Sequence, residues 1–111
     1  MPPLSRTENT HSVLTVSELN RSAKELLEHT FPLVWISGEI SNLKRYNSGH
    51  WYFSLKDADA QVRCVIFRYK NKLLNWQPED GMQVEVRALV TLYEIRGDFQ
   101  LNVDTIRLAG K

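Results

Sequence analysis

Ser48–Phe67 reads SGHWYFSLKDADAQVRCVIF, and its alternation decides the fold. In His50–Lys56, Trp51, Phe53 and Leu55 share one face. His50, Tyr52, Ser54 and Lys56 share the other, because successive strand side chains point to opposite sides. Asp57–Asp59 supplies a turn. In Ala60–Phe67, Val62, Cys64 and Ile66 then point inward, and Gln61, Arg63 and Val65 outward. Phe67 has the outward parity, or folds over the end of the sheet. The stretch is a hairpin with one apolar face and one aromatic, basic, hydrogen-bonding face.

The flanks supply more strands. Leu33–Asn42 alternates Val34, Ile36, Gly38 and Ile40 against Trp35, Ser37, Glu39 and Ser41, and Gly38 suggests a bulge or sharp bend. Trp35 is expected to pack under the N-terminal helix. Leu43–Gly49 reads as a loop carrying Lys44, Arg45 and Tyr46. Arg68–Trp76 reads as a short helical cap, and Pro78–Gly81 as a turn. Met82–Leu92 is a fourth strand, Tyr93–Asp98 a hairpin connection, and Phe99–Leu108 a fifth strand. In the fifth, Leu101 and Val103 set one parity and Ile106 and Leu108 the other, which implies a bulge or a bend between faces. Upstream, Leu19, Ala23, Leu26 and Leu27 give one helical stripe from Glu18 to about His29. Ser17 is the expected N-cap, His29 suits the last turn, and Pro32 ends the helix.

At 111 residues the chain is one domain by length. Residues 1–12 read as a disordered leader and 13–110 as the folded domain. The chain stops soon after the fifth strand, which suggests a domain cut from something longer. No stretch approaches the roughly 18 apolar residues of a membrane span, and the polar N-terminus has no signal core. Cytoplasmic residence is expected. One cysteine excludes an internal disulfide and fits a reducing compartment. Cys64 reads as a small buried hydrophobe. One cysteine and three scattered histidines match no metal-ligand spacing, so neither a metal nor another cofactor is expected. No phosphate loop, nucleophile elbow or paired-carboxylate cleft appears, and the acids Asp57, Asp59, Glu79 and Asp80 fall in turns.

The net charge of +1 hides an asymmetry. Leu43–Pro78 holds seven basic and two acidic residues (+5), and the remainder holds seven basic and eleven acidic (−4). Such a positive region suits a polyanion, although a merely solvated basic surface has the same signature. One helix, three strands, a cap and two more strands predict an all-β fold with helical additions: a five-stranded OB-fold barrel preceded by an α-helix. That fold binds oligonucleotides or oligosaccharides over strands two and three and the loops beside them. The candidate binding residues are Lys44, Arg45 and Tyr46 in the first loop, His50, Tyr52, Lys56 and Arg63 on the hairpin, and Tyr93 and Arg96 in the last connection. The tyrosines suit base stacking and the cations suit phosphates.

Longer stretches carry a resemblance. TVSELNRSAKELLE, VWISGEISNLKRYNSGHWYFSLKDADAQVRCVIFR and GMQVEVRALVTLYEIRGDFQLNV closely resemble the N-terminal domain of exodeoxyribonuclease VII large subunits, from about Leu14 to Gly110. WISGEISN, SGHWYFSLKD, QVRC and TLYEIRGDFQL, in that order, are the most specific parts. The resemblance implies an OB-fold that binds single-stranded DNA for a bacterial cytoplasmic nuclease. It also implies that the catalytic centre and the region binding the small subunit lie outside this chain, which alone is expected to be inactive. Neither a membrane nor a small-molecule ligand is expected as a partner. An RNA-binding OB domain and a protein-interaction module for nuclease assembly are the competing readings.

Overall fold

The computed structural model describes residues 12–110. The expected leader lies, Ser12 excepted, outside the described residues. Helix α1 (Val16–Thr30) is capped by Thr15, not Ser17. Thr15 Oγ1 accepts from the Glu18 N–H at 3.1 Å, and the Glu18 carboxylate accepts from the Thr15 N–H at 2.9 Å. This reciprocal box needs an acid three residues on, which Thr15 has and Ser17, followed by Asn20, lacks. The apolar stripe of α1 is only partly used. Leu27 packs against the barrel, while Leu19 and Leu26 remain exposed. Polar bonds complete the docking: buried Thr91 donates to Glu28 at 2.6 Å, and Asn20 Nδ2 donates to the Glu94 carbonyl at 2.9 Å.

The strands are β1 (Val34–Arg45), β2 (Trp51–Lys56), β3 (Gln61–Ile66), β4 (Gln83–Tyr93) and β5 (Asp98–Leu108), with the single-turn α2 (Arg68–Asn71) between β3 and β4. They close a barrel in the order β1-β2-β3-β5-β4. Only β3 and β5 run parallel, pairing Arg63 with Gln100, Cys64 with Leu101 and Val65 with Asn102. Twelve buried apolar residues fill the interior, among them Ile40, Phe53, Leu55, Cys64, Ile66 and Val86. Val65, expected outside, is 1% exposed, yet it stands apart from that cluster with Tyr52 and Asn102 across the neighbouring strands.

β1 meets its two neighbours with different halves of its length. Val34–Glu39 pairs with β4, and Glu39–Arg45 pairs with β2. Gly38 sits at this changeover. A Cβ there would lie 2.8 Å from Leu55 Cγ and 2.9 Å from the Lys56 carbonyl oxygen. The register shift falls later than the glycine suggested, between Ser41 and Lys44, where Asn42 adopts φ 55°. Asp80 accepts from the Leu43 N–H at 2.9 Å. β1 then continues past its expected end: Lys44 pairs with Tyr52 and Arg45 with Trp51, so both basic residues are strand residues rather than loop residues.

The parity change in β5 is a bulge. Ala88 faces Val103 and Arg87 faces Thr105, leaving Asp104 as the extra residue. Its carboxylate accepts from Lys70 at 2.6 Å, Arg87 at 2.7 Å and Thr105 at 2.9 Å. These hydrogen bonds, those of Lys70 and Arg87 above all, hold the carboxyl well below the usual carboxylate range. Trp35 does not pack under α1. It is 43% exposed, with the Arg107 guanidinium 3.8 Å from its ring centroid and Arg87 at 5.9 Å.

Two stability predictions follow from these contacts. Gly38→Ala is expected to lower unfolding free energy by about 1–3 kcal/mol in urea titration, because the methyl meets backbone as well as Leu55. Asp104→Asn is expected to cost about 1–2 kcal/mol at neutral pH. A depressed carboxyl stabilises above its unfolded value and loses that contribution as pH falls below it. The gap between wild type and variant should therefore narrow below about pH 4; a gap unchanged down to about pH 2 contradicts the assignment.

Candidate nucleic-acid interface

The β1–β2 loop, the outer side of β2 and β3, and the β4–β5 hairpin surround one groove of about 650 Å³. Tyr46, Asn47 and Ser48 come from the loop, Tyr52 from β2, and Arg63 and Phe67 from β3 and just beyond. Tyr93 and Arg96 come from the hairpin, with Asp98 and Gln100 from β5. The backbone fixes these positions. The loop closes with the Tyr46 N–H donating to His50 O at 3.2 Å and the Gly49 N–H donating to Tyr46 O at 2.8 Å. The hairpin tip closes with the Gly97 N–H donating to Tyr93 O at 2.7 Å, and Gly97 takes φ 71°, which favours glycine.

Five of the nine candidate residues meet in the groove: Tyr46, Tyr52, Arg63, Tyr93 and Arg96. Tyr46 and Tyr52 pack edge to face with centroids 5.4 Å apart. Tyr46 and Tyr93 are about half exposed. Among the described residues, no carboxylate lies within salt-bridge distance of Arg63. Arg96 meets Asp98 at 3.3 Å, an exposed and therefore weak pair.

The other four lie outside the lining. Arg45 donates to the Pro78 carbonyl at 2.6 Å and places its guanidinium 4.8 Å from the Trp51 ring centroid, bracing the end of β1. His50 Nδ1 accepts from the Arg68 N–H at 3.0 Å, and its ring packs edge-on against Phe67 at 5.3 Å. Lys56 borders a separate depression with Ser37, Glu39 and Asp57. Lys44 is exposed at the end of β1. Sequence reasoning missed Asp98 and Gln100: Gln100 pairs with Arg63 across the parallel β3–β5 ladder, and Asp98 pairs with Tyr93 at the foot of the β4–β5 hairpin. It also left Phe67 open, although its outward parity pointed to this face.

Of the turn acids, Asp57 is held locally and Asp80 caps the Leu43 N–H of β1. Asp57 accepts from the N–H groups of Asp59 at 2.8 Å and Ala60 at 2.9 Å. Among the described residues no three His, Cys, Asp or Glu side chains gather as a metal site, and no helix is long and apolar enough to cross a membrane. Cys64 is fully buried, and burial pushes its thiol up to about 12, so it stays protonated and unreactive.

Comparison with known proteins agrees with this geometry. A family model described as an OB-fold nucleic acid binding domain matches residues 14–107. The exodeoxyribonuclease 7 large subunit of Nitrosomonas europaea is 72% identical over 95 residues, covering 86% of this chain and 21% of that protein. The Thiobacillus denitrificans counterpart is 59% identical over 98 residues, covering 88% and 22%. The chain thus spans about a fifth of the length of these relatives. Among solved structures, a replication protein A heterotrimer bound to single-stranded DNA superimposes with a TM-score of 0.58 at 11% identity, over 73% of this chain and 60% of that one. A putative aspartyl-tRNA synthetase from Leishmania major Friedlin gives 0.58 at 18% identity, over 97% and 22%. At such identities these two speak for the fold alone. The chain belongs to the OB-fold nucleic acid binding domain family, and it resembles the version carried by exodeoxyribonuclease 7 large subunits.

Proposed function

We propose that this chain is a single-stranded DNA binding module with little sequence preference, serving the large subunit of a bacterial cytoplasmic exodeoxyribonuclease. One observation carries the reading: a single groove brings three tyrosines together with Arg63, a cation that no described carboxylate neutralises. Tyrosine faces stack only on bases that are out of a duplex, and every base has such a face. Arg63 supplies attraction to phosphate, which is sequence-independent and salt-dependent. Asp98 opposes that attraction and occupies Arg96. The catalytic centre and the contacts with a small subunit belong, on this reading, to parts of the large subunit beyond this chain.

Titration with a fluorescent single-stranded oligonucleotide at two salt concentrations tests the proposal, with duplex and matched RNA as controls. Tyr52→Ala is expected to weaken binding about tenfold to a hundredfold. Arg63→Ala should weaken it and lower the salt slope by about 0.7, one phosphate's share for a single strand. Asp98→Asn should strengthen binding. Thermal melting of each variant checks that the fold is intact. Failure of the wild type to bind at low salt, or equal affinity for duplex, overturns the reading. Preference for RNA would move the module to a 2′-hydroxyl reader.

A further inference from the structure

Phe67 stands at the edge of the groove, with a second aromatic ring beside it. Two residues on, Tyr69 is 66% exposed, and its ring lies parallel to that of Phe67 within 6°, with centroids 6.3 Å apart. Bases along a single strand stack in successive parallel planes, and two parallel rings present such planes. Between the rings in sequence, Arg68 runs back over the β1–β2 loop. A Cβ on Gly49 would lie 2.6 Å from Arg68 Cδ, so the arginine stem rests on the residue beside the groove-lining Ser48. Among the described residues, Arg68 has no carboxylate within salt-bridge distance.

The turn that carries Tyr69 is tied down on three sides. Asn71, 8% exposed, donates to the Gly49 carbonyl at 2.8 Å. The Arg68 N–H donates to His50 Nδ1 at 3.0 Å. Lys70 donates to Asp104 at 2.6 Å, and its Nζ stands 5.7 Å from the Tyr69 ring centroid. The anchored turn thus leaves a large aromatic ring, stacked on Phe67, mostly exposed. The ring keeps one position at little entropic cost on binding, the usual gain from preorganisation.

We infer that Phe67 and Tyr69 form a second base-stacking subsite, which extends the strand path from the groove across α2 and sets Arg68 against the backbone phosphate between the two segments. The inference rests on the single-stranded DNA reading above. It assigns to the α2 turn a share of the site's length rather than of its chemistry. His50, Asn71 and Lys70 are positioning residues for this platform.

Oligothymidylates of about 4 to 16 nucleotides, the span of sites on single OB folds, provide the test. Wild type is expected to gain affinity with length to a plateau. Tyr69→Ala should reach its plateau one or two nucleotides earlier, bind the longest oligomer about tenfold to a hundredfold more weakly, and bind the shortest as wild type does. Tyr69→Phe, which keeps the ring, should restore the wild-type profile. Because Tyr69 is mostly exposed, an unchanged melting temperature is expected in both variants. A Tyr69→Ala profile that matches wild type at every length overturns the extension and leaves the groove reading standing. A loss equal at all lengths also overturns it, by placing Tyr69 within the short site. Absence of binding by wild type overturns both.

Discussion

Every strand of a closed five-stranded barrel has two neighbours, and β1 meets its two with different halves of its length. Its first half pairs with β4 and its second with β2. The changeover brings the β1 backbone so close to β2 that only a hydrogen fits at residue 38. Everything that forms the groove depends on this bend. It carries the second half of β1 toward β2, so that the loop beyond Arg45 brings Tyr46 against Tyr52. The bulge at Asn42 leaves the Leu43 N–H to Asp80, and Arg45 reaches Pro78, so the 78–81 turn clamps the same segment.

A second irregularity fixes the other side of the molecule. The extra residue in β5 is Asp104, and the three donors around it join β4, β5 and α2. A bulge placed there turns the alternation of β5 over, so that Val103 and Ile106 both reach the core. Stability and surface are thereby linked. The carboxylate that completes the barrel also holds Lys70, and with it the turn that presents Tyr69.

Period-two alternation made the strands, their order and most of the core legible, because it reports directly which side chains leave water. The parity break before Ile106 even located the bulge. What alternation does not encode is where a polar side chain finds its partner. Arg45 reads as a loop cation suited to phosphate, and His50 as an outward residue of the hairpin suited to binding. In the structure the first meets a carbonyl 33 residues away and the second a backbone N–H 18 residues away. Trp35 reads as packing under the N-terminal helix, but Arg107 lies over its ring, and a cation over an indole face is a stable alternative to burial. Thr15 outcompetes Ser17 as the cap because its Glu18 partner completes the box. Gln100 was hidden for a different reason: a parallel pairing between β3 and β5 brings it to Arg63 from a distant part of the chain.

The central claim is one of place: the binding face is the groove over β2 and β3, not the surface where an exposed aromatic and a cation, Trp35 and Arg107, also meet. Amide chemical shifts of the isotope-labelled chain, recorded while an unlabelled oligothymidylate is added, test this most directly. The account predicts progressive shifts at Tyr46, Tyr52, Arg63, Phe67 and Gln100, with Trp35, Glu85 and Arg107 unmoved. Shifts concentrated at Trp35 and Arg107, with the groove silent, would contradict it.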